Sequence, residues 1–315
     1  MDTKFLDIEK ENRHSDFDQI HKGIERAEVG VGAICIMYDE HSDDKNSFEN
    51  ILRLKQNIHY RLSSARFQYR IFLQELYKSE HYLLELLKKD SQKFDGFIMG
   101  NPFFERIEAE LSSIFDGIIF NITSVFDYFS HIICYICKSD KQSTVYWNKL
   151  AKLARGKDNE IGKLKIATVI DDLDRKFIGR LYDYRSRLIH NERDEHKFSG
   201  TEIIEEEKMD FNINILSSHI LLSKKYLKIV KDENPNFDEI TLTYTSSWLI
   251  RKTLNDIELL INALVIEIKS NSFYQENLRV KKKGKSRMMG TIDPKTNRMT
   301  PLSEIMWKQY VDQKN

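Results

Sequence analysis

The stretch IFDGIIFNITSVFDYFSHIICYIC, residues 114–137, decides the fold. It is apolar almost all round, and a helix of that kind is normally covered by other elements. Upstream, Glu105, Glu108 and Glu110 favour the start of a helix, because the amino end of the helix dipole attracts negative charge. We therefore predict one helix from about Phe103 to Cys137 that forms the buried centre of a helical bundle.

Few residues interrupt helices in this chain of 315 residues, which contains only 4 prolines and 12 glycines. From Phe48 to about Asp90, apolar residues recur at steps of three or four, which predicts a second long amphipathic helix. Shorter helical patterns cover residues 144–156, 170–192, 216–234 and 246–270. The predicted fold class is therefore mostly α.

Two stretches predict a small β accessory. VGVGAICIMY, residues 29–38, is short, apolar and partly β-branched, which indicates a buried strand. Residues 197–215 contain a Ser-Gly pair followed by alternating apolar side chains, which predicts a β-hairpin. The predicted organisation is an N-terminal region over 1–100, a helical bundle over 101–271, and a basic tail over 272–315 that we expect to pack poorly.

Composition narrows the class of protein. The 49 Lys and Arg balance the 49 Asp and Glu, so the whole chain has no electrostatic preference for nucleic acid. No run of 18 uncharged apolar residues predicts a membrane span, and the amino end lacks the apolar core of a signal peptide. The three cysteines, Cys35, Cys134 and Cys137, are too few for a disulfide framework. These features predict a cytoplasmic protein.

Two motifs for a bound cofactor or metal are incomplete. Gly30 and Gly32 begin like a dinucleotide-binding loop, but Cys35 stands where the third glycine is required. His131, Cys134 and Cys137 share one helix face and resemble half a zinc site, although no second pair of ligands is evident. Since free cysteines are commonly buried as small apolar residues, we predict neither a metal nor a cofactor.

The segment LYDYRSRLIHNERD, residues 181–194, combines an apolar stripe with an arginine and a histidine near the end of a helix. Histidine is suited to proton transfer because its pKa lies near neutrality. Arginine stays cationic and binds phosphate oxygens through a planar set of donors. The predicted buried stripe consists of Phe177, Leu181, Tyr184, Leu188 and Ile189.

Within this segment, Arg185, the polar Ser186 and His190 resemble the signature of the HEPN superfamily, the higher eukaryote and prokaryote nucleotide-binding domains. The resemblance covers about residues 103–270 and includes the long apolar helix before the motif. Arg53 and His59 also satisfy the bare spacing, but Leu54 then stands where the family has a polar residue.

The resemblance implies an up-and-down helical bundle and a metal-independent endoribonuclease that acts as a homodimer, in toxin–antitoxin or phage-defence systems. Arg185 and His190 would be the catalytic pair, and Ser186, Asn191 and Asp127 would support it. An antitoxin or other regulatory protein would be a natural partner.

Helix geometry adds a condition of its own. Five residues along an ideal helix correspond to a rotation of about 500°, so the side chains of Arg185 and His190 point about 140° apart. An active site therefore requires either a helix that distorts at its end, near Asn191, or a second copy of the chain.

Local charge is compatible with RNA as the substrate. The tail carries Lys281, Lys282, Lys283, Lys285 and Arg287, and residues 138–165 hold eight Lys or Arg against three Asp or Glu. Either region would suit a phosphate backbone, although basic tails are also often no more than solvated ends. Two other readings stay open: a HEPN-like bundle that binds nucleotide, RNA or protein without catalysis, and a helical adaptor whose motif is coincidental.

Overall fold

A computed structural model describes residues 4–41, 45–89, 102–137, 145–190, 194–205, 208–270, 290–292 and 299–313. The helices are α1 Arg13–His41, α2 Lys45–Lys89, α3 Pro102–Ile136, α4 Trp147–Arg155, α5 Ile166–Leu173, α6 Gly179–His190, α7 Lys228–Asp232, α8 Leu242–Ser270 and α9 Leu302–Asp312. A π-helical turn, Asp174–Ile178, separates α5 from α6. The mostly α fold class is confirmed.

The strands are short and pair two by two. They are β1 Phe5–Leu6, β2 Lys197–Glu205, β3 Lys208–Leu216, β4 Glu239–Ile240, β5 Gly290–Ile292 and β6 Met299–Pro301. Strands β2 and β3 form the predicted antiparallel hairpin, in a register that runs from Lys197 opposite Leu216 to Glu205 opposite Lys208. Strand β1 pairs with β4 in parallel, and β5 pairs with β6 antiparallel.

The chain divides into two compact units that both draw on widely separated segments. Unit 1 consists of Met1–Ile20, Ser64–Thr123 and Phe177–Arg251, and unit 2 consists of His21–Ser63, Ser124–Lys176 and Lys252–Asn315. Neither unit follows the boundaries expected from the sequence, because the long helices contribute residues to both.

Helix α3 is buried along most of its length, as its sequence predicts. Its fully buried side chains include Leu111, Phe115, Ile122, Phe129 and Ile133. Among the described helices, α3 alone is long and apolar enough to cross a membrane, but 67% of its most apolar window is buried inside the structure. That share is typical of the core helix of a soluble protein.

The strand predicted over residues 29–38 is wrong, because these residues belong to helix α1. The glycines of this stretch allow helices to pack closely, and they do not belong to a strand. A Cβ atom on Gly30 would lie 2.8 Å from side-chain atoms of both Ile261 in α8 and Tyr310 in α9. The small residues of this stretch therefore let three helices of unit 2 approach one another.

The helix predicted over residues 216–234 is also wrong for most of its length, since only Lys228–Asp232 are α-helical. Serine side chains compete with the helix here. The Ser218 hydroxyl accepts a hydrogen bond from the backbone amide of Leu221, and the Ser217 amide donates to the carbonyl of Ile240. The bond to the Ser218 hydroxyl is of the local side-chain kind that favours turns over helices, and the Ser217 bond pairs the backbone with β4 instead.

The tail is better packed than expected within its described part. Helix α9 buries Tyr310, which is 3% exposed, and Ser303 donates hydrogen bonds from its amide and its hydroxyl to the carboxylate of Glu40. Burial raises the pKa of Glu40, and the bonds from Ser303 oppose that shift. The expectation of a poorly packed tail is therefore wrong for residues 302–312, while the basic residues between 281 and 287 lie outside the described residues.

Candidate functional site

Helix α6, which carries the arginine–histidine motif, is fixed in unit 1 by its buried face. Leu181 and Tyr184 are fully buried, and the Tyr182 hydroxyl donates a 2.8 Å hydrogen bond to the carbonyl of Thr123. The predicted stripe holds for Phe177, Leu181 and Tyr184. The buried stripe ends at Tyr184, since Leu188 is only half-buried and Ile189 is 53% exposed.

Arg185 is half-buried and lies against aromatic rings. Its guanidinium carbon is 5.9 Å from the ring centre of Phe120 and 5.9 Å from that of Tyr182. Rings at this distance attract a cation through their quadrupole and limit the orientations that the side chain adopts. Arg185 is therefore a positioned cation rather than a loose surface side chain.

Ser186 and His190 are exposed, and His190 is the last residue of α6. The third polar residue of the motif region, Asn191, lies outside the described residues. The side chains of Ser186 and His190 are thus accessible to a ligand from solvent.

Helix α6 is regular between the two residues of the motif. Residues 179–190 are α-helical throughout, and the π-helical turn lies before the motif rather than inside it. The side chains of Arg185 and His190 therefore leave the helix about 140° apart, as on an ideal helix. A distortion of the helix between the two residues is absent, so one copy of α6 does not bring them to one face.

Asp127, the supporting carboxylate implied by the resemblance, has one described hydrogen bond at the amino end of α4. Its Oδ1 accepts a 3.2 Å hydrogen bond from the backbone amide of Trp147, the first residue of α4. Asp127 thereby caps the amino end of α4, where backbone amides lack partners within the helix.

A cavity of about 550 Å³ lies in unit 1 beside the carboxyl end of α6. Its lining combines cationic, acidic and polar side chains: Arg187, Asp194, Glu195, Lys197, Ser218, His219 and Ile220. Arg187 precedes His190 by three residues, which places the two side chains within about 60° of each other around the helix. The cavity is therefore flanked by the helix face that carries the exposed histidine.

Hydrogen bonds fix the polar residues of this cavity. The hydroxyls of Tyr184 and Ser218 donate to Asp194 Oδ2 over 2.8 Å and 2.6 Å, and the Ser218 amide donates to His196 Nδ1 over 3.2 Å. Burial, followed by the charge of Asp194, raises the pKa of Tyr184 well above its usual value. This cluster holds Asp194 and Ser218 in place before any ligand arrives.

Asp116 of α3 is a further acid near this cluster. Burial, followed by the negative charge of Asp194, raises the pKa of Asp116 to about 6. The sequence did not single out Asp116, Arg187, Asp194, Lys197 or His219. The dense charges of residues 192–197 are the one signal that pointed to this region, and such runs usually mark solvated surface.

The other motifs of the sequence have structural explanations. No group of three or more His, Cys, Asp or Glu close enough to hold a metal occurs within the described residues. Burial raises the pKa of the Cys137 thiol, with further contributions from Glu267 and Cys134. In the second arginine–histidine pair, the imidazole Nδ1 of His59 lies 2.9 Å from the carboxylate of Glu28.

Comparisons of the chain with protein families, with curated proteins and with solved structures found no match in any of the three.

Proposed function

We propose that this chain is a HEPN-like, metal-independent endoribonuclease whose catalytic pair is Arg185 and His190. One observation carries the proposal: α6 holds a positioned arginine against two aromatic rings and ends in an exposed histidine. Ser186, one turn before His190 and exposed, would orient the imidazole or a phosphate oxygen.

The proposed reaction needs only groups that the chain and the RNA supply. The 2′-oxygen of a ribose attacks the adjacent phosphorus, so the P–O2′ bond forms and the P–O5′ bond breaks. A general base takes the proton of the 2′-hydroxyl, and a general acid gives a proton to the leaving 5′-oxygen. The products are a 2′,3′-cyclic phosphate and a free 5′-hydroxyl. His190 serves in proton transfer, and Arg185 stabilises the charge on the non-bridging oxygens.

A homodimer completes the site in this proposal. Since the two side chains of one α6 point away from each other, the arginine of one copy and the histidine of the other would act on the same phosphate. Asp127 keeps its proposed supporting role through the carboxylate oxygen Oδ2, since Oδ1 accepts the bond from α4. We also propose a cytoplasmic toxin or phage-defence effector that a partner protein restrains, and the basic residues Lys281–Arg287 as an additional contact for RNA.

RNA cleavage tests the proposal directly. The purified full-length chain is incubated with total RNA in excess chelator, beside His190→Ala and beside the control His14→Ala. His14 is a suitable control because its side chain is 87% exposed and lies in unit 1, on α1 rather than near the motif. The wild type and the control should produce fragments with cyclic-phosphate ends, and His190→Ala should lose at least about a hundredfold in rate.

Two results would contradict the proposal that His190 catalyses RNA cleavage. If His190→Ala cleaves as fast as the wild type, the activity belongs to a contaminant or to another site. If no protein cleaves but RNA binds, and Arg185→Lys weakens that binding, the chain is a binding module without catalysis. That second candidate is favoured by one observation, the separation of Arg185 and His190 around α6. Lysine keeps the charge of Arg185 but loses its planar pair of donors.

A further inference from the structure

The cavity beside α6 is large enough to hold a small ligand. Its volume of about 550 Å³ falls within the range of roughly 300–1,000 Å³ that is usual for such sites. It carries both signs of charge, with Arg187 and Lys197 against Asp194 and Glu195. A ligand that fills it must therefore present an anion together with hydrogen-bond donors.

Asp194 provides the strongest indication of a ligand. The residue is 3% exposed, and both of its described hydrogen bonds, from Tyr184 and Ser218, go to Oδ2. Within the described residues, its other oxygen, Oδ1, is buried and has no hydrogen-bond partner. A buried carboxylate oxygen without a donor is costly, so a donor that reached Oδ1 from the cavity would remove an existing penalty.

Charged side chains at the cavity fit the other half of such a ligand. Lys197 is exposed at the start of β2, and Arg187 reaches the cavity from α6. Both bind phosphate oxygens in many proteins, arginine as a planar fork and lysine as a point charge. His219, also exposed, adds a third nitrogen-bearing side chain to the same lining.

We propose that this cavity is a nucleotide subsite of the RNA-binding surface. A phosphate lies at Lys197 and Arg187, and an amino group of the base or a ribose hydroxyl donates to Asp194. The assignment rests on the proposed function in so far as RNA is the ligand. It extends that function to residues outside the arginine–histidine motif, and it places a neighbouring nucleotide on the helix face that carries His190.

Binding of RNA that cannot be cleaved tests the subsite separately from catalysis. A fluorescent oligonucleotide with 2′-O-methyl groups lacks the attacking hydroxyl, so its anisotropy reports binding alone. Lys197→Gln should weaken the affinity about tenfold and lower the salt dependence of log K by about 0.7, the values for one lost phosphate contact to a single strand. Lys224→Gln, at another exposed lysine of unit 1, should leave both quantities unchanged.

Competition identifies what the cavity holds. Adenosine, cytidine, guanosine and uridine 3′-monophosphates are each added to the bound oligonucleotide, with inorganic phosphate at the same concentration as the comparison. At least one nucleotide should compete better than phosphate, and Asp194→Asn should reduce that preference. Equal competition by inorganic phosphate would reduce the cavity to an anion site and overturn the assignment.

The two proposals fail in different experiments. If the wild type does not cleave RNA but Lys197→Gln weakens binding of the oligonucleotide, the subsite stands and the catalytic role of His190 falls. If cleavage depends on His190 while Lys197→Gln binds like the wild type and no nucleotide competes, the enzyme stands and the subsite is refuted. Thermal unfolding of each variant, measured beside the wild type, distinguishes a lost contact from a misfolded chain.

Discussion

Removing the carboxylate of Glu80 should destabilise unit 1 severely. Glu80 lies on α2, is 1% exposed, and accepts two hydrogen bonds from the guanidinium of Arg13, over 2.9 Å and 3.1 Å. It also accepts a bond from the backbone amide of Ile213 in β3, over 3.2 Å. One side chain therefore connects α1, α2 and the β-hairpin.

The magnitude follows from what Glu80→Ala leaves behind. Among the described residues, the cation of Arg13, whose side chain is 8% exposed, would keep Asp7 at 3.6 Å, a weak bond to the carbonyl of Ile8 and the more distant charge of Asp210. Removing one partner of a buried ion pair costs about 3–5 kcal/mol, and a buried amide without its acceptor adds about 1 kcal/mol or more. Since Asp7 retains part of the charge balance, we expect about 3–5 kcal/mol in total. That is a large part of the roughly 5–15 kcal/mol by which folded proteins are stable.

Urea unfolding followed by circular dichroism at 222 nm measures this loss. The control is Glu85→Ala on the same helix, where the carboxylate is 45% exposed and pairs with Lys88 three residues later. That change should cost less than about 0.5 kcal/mol, because exposed pairs contribute little. A loss of less than about 1 kcal/mol for Glu80→Ala would refute the reasoning. Replacing Arg13 and Glu80 together by Met and Leu should recover part of the stability, because the buried pair is removed whole while the Ile213 amide still lacks its acceptor and Asp7 its cation.

Three further changes test other parts of the structure. Tyr182→Phe should cost about 1 kcal/mol in urea unfolding, since it removes the bond to Thr123 but keeps the ring beside Arg185. The raised pKa of Asp116, about 6 against 3.8, means that the folded state binds its proton more tightly. The stability that the Asp116 carboxyl contributes is therefore lost as pH rises from about 4 to 6. Over that interval the free energy of unfolding of Asp116→Asn should rise relative to that of the wild type, and above pH 7 the difference between the two should stay constant. Gly162→Ala should cost more than Gly32→Ala, because its Cβ would lie 1.6 Å from a backbone oxygen, whereas at Gly32 the nearest atom, at 2.7 Å, is the flexible end of Met306.

The sequence predicted the long helices well, because their apolar residues repeat over many turns. Helix α2 was expected from Phe48 to Asp90 and extends over Lys45–Lys89, and α3 lies within a residue of its predicted bounds. Residues 29–38 were misread because ten apolar and small residues are compatible with a strand or a buried helix. Only the partners of Gly30, which lie more than two hundred residues later, distinguish the two.

The candidate site was predictable only in part, for a similar reason. The positions of Arg185, Ser186 and His190 on one helix follow from local sequence, and so does the angle between them. The cavity does not, because Arg187, Asp194 and Ser218 meet through the end of a helix, a connection and the end of a hairpin. Nothing in the neighbourhood of Asp194 indicates that this aspartate is buried, since residues of that type are nearly always exposed.

The regular geometry of α6 has a consequence for the protein concentration at which the proposed cleavage would occur. If the proposed catalytic pair is shared between two copies, specific activity depends on concentration, and dilution below the dissociation constant of the proposed dimer would abolish cleavage without any inhibitor. A cell that contains little of the chain would tolerate it, and a modest rise in synthesis or local crowding would turn on cleavage steeply. The regular geometry of one short helix would then set the protein concentration above which RNA is cleaved.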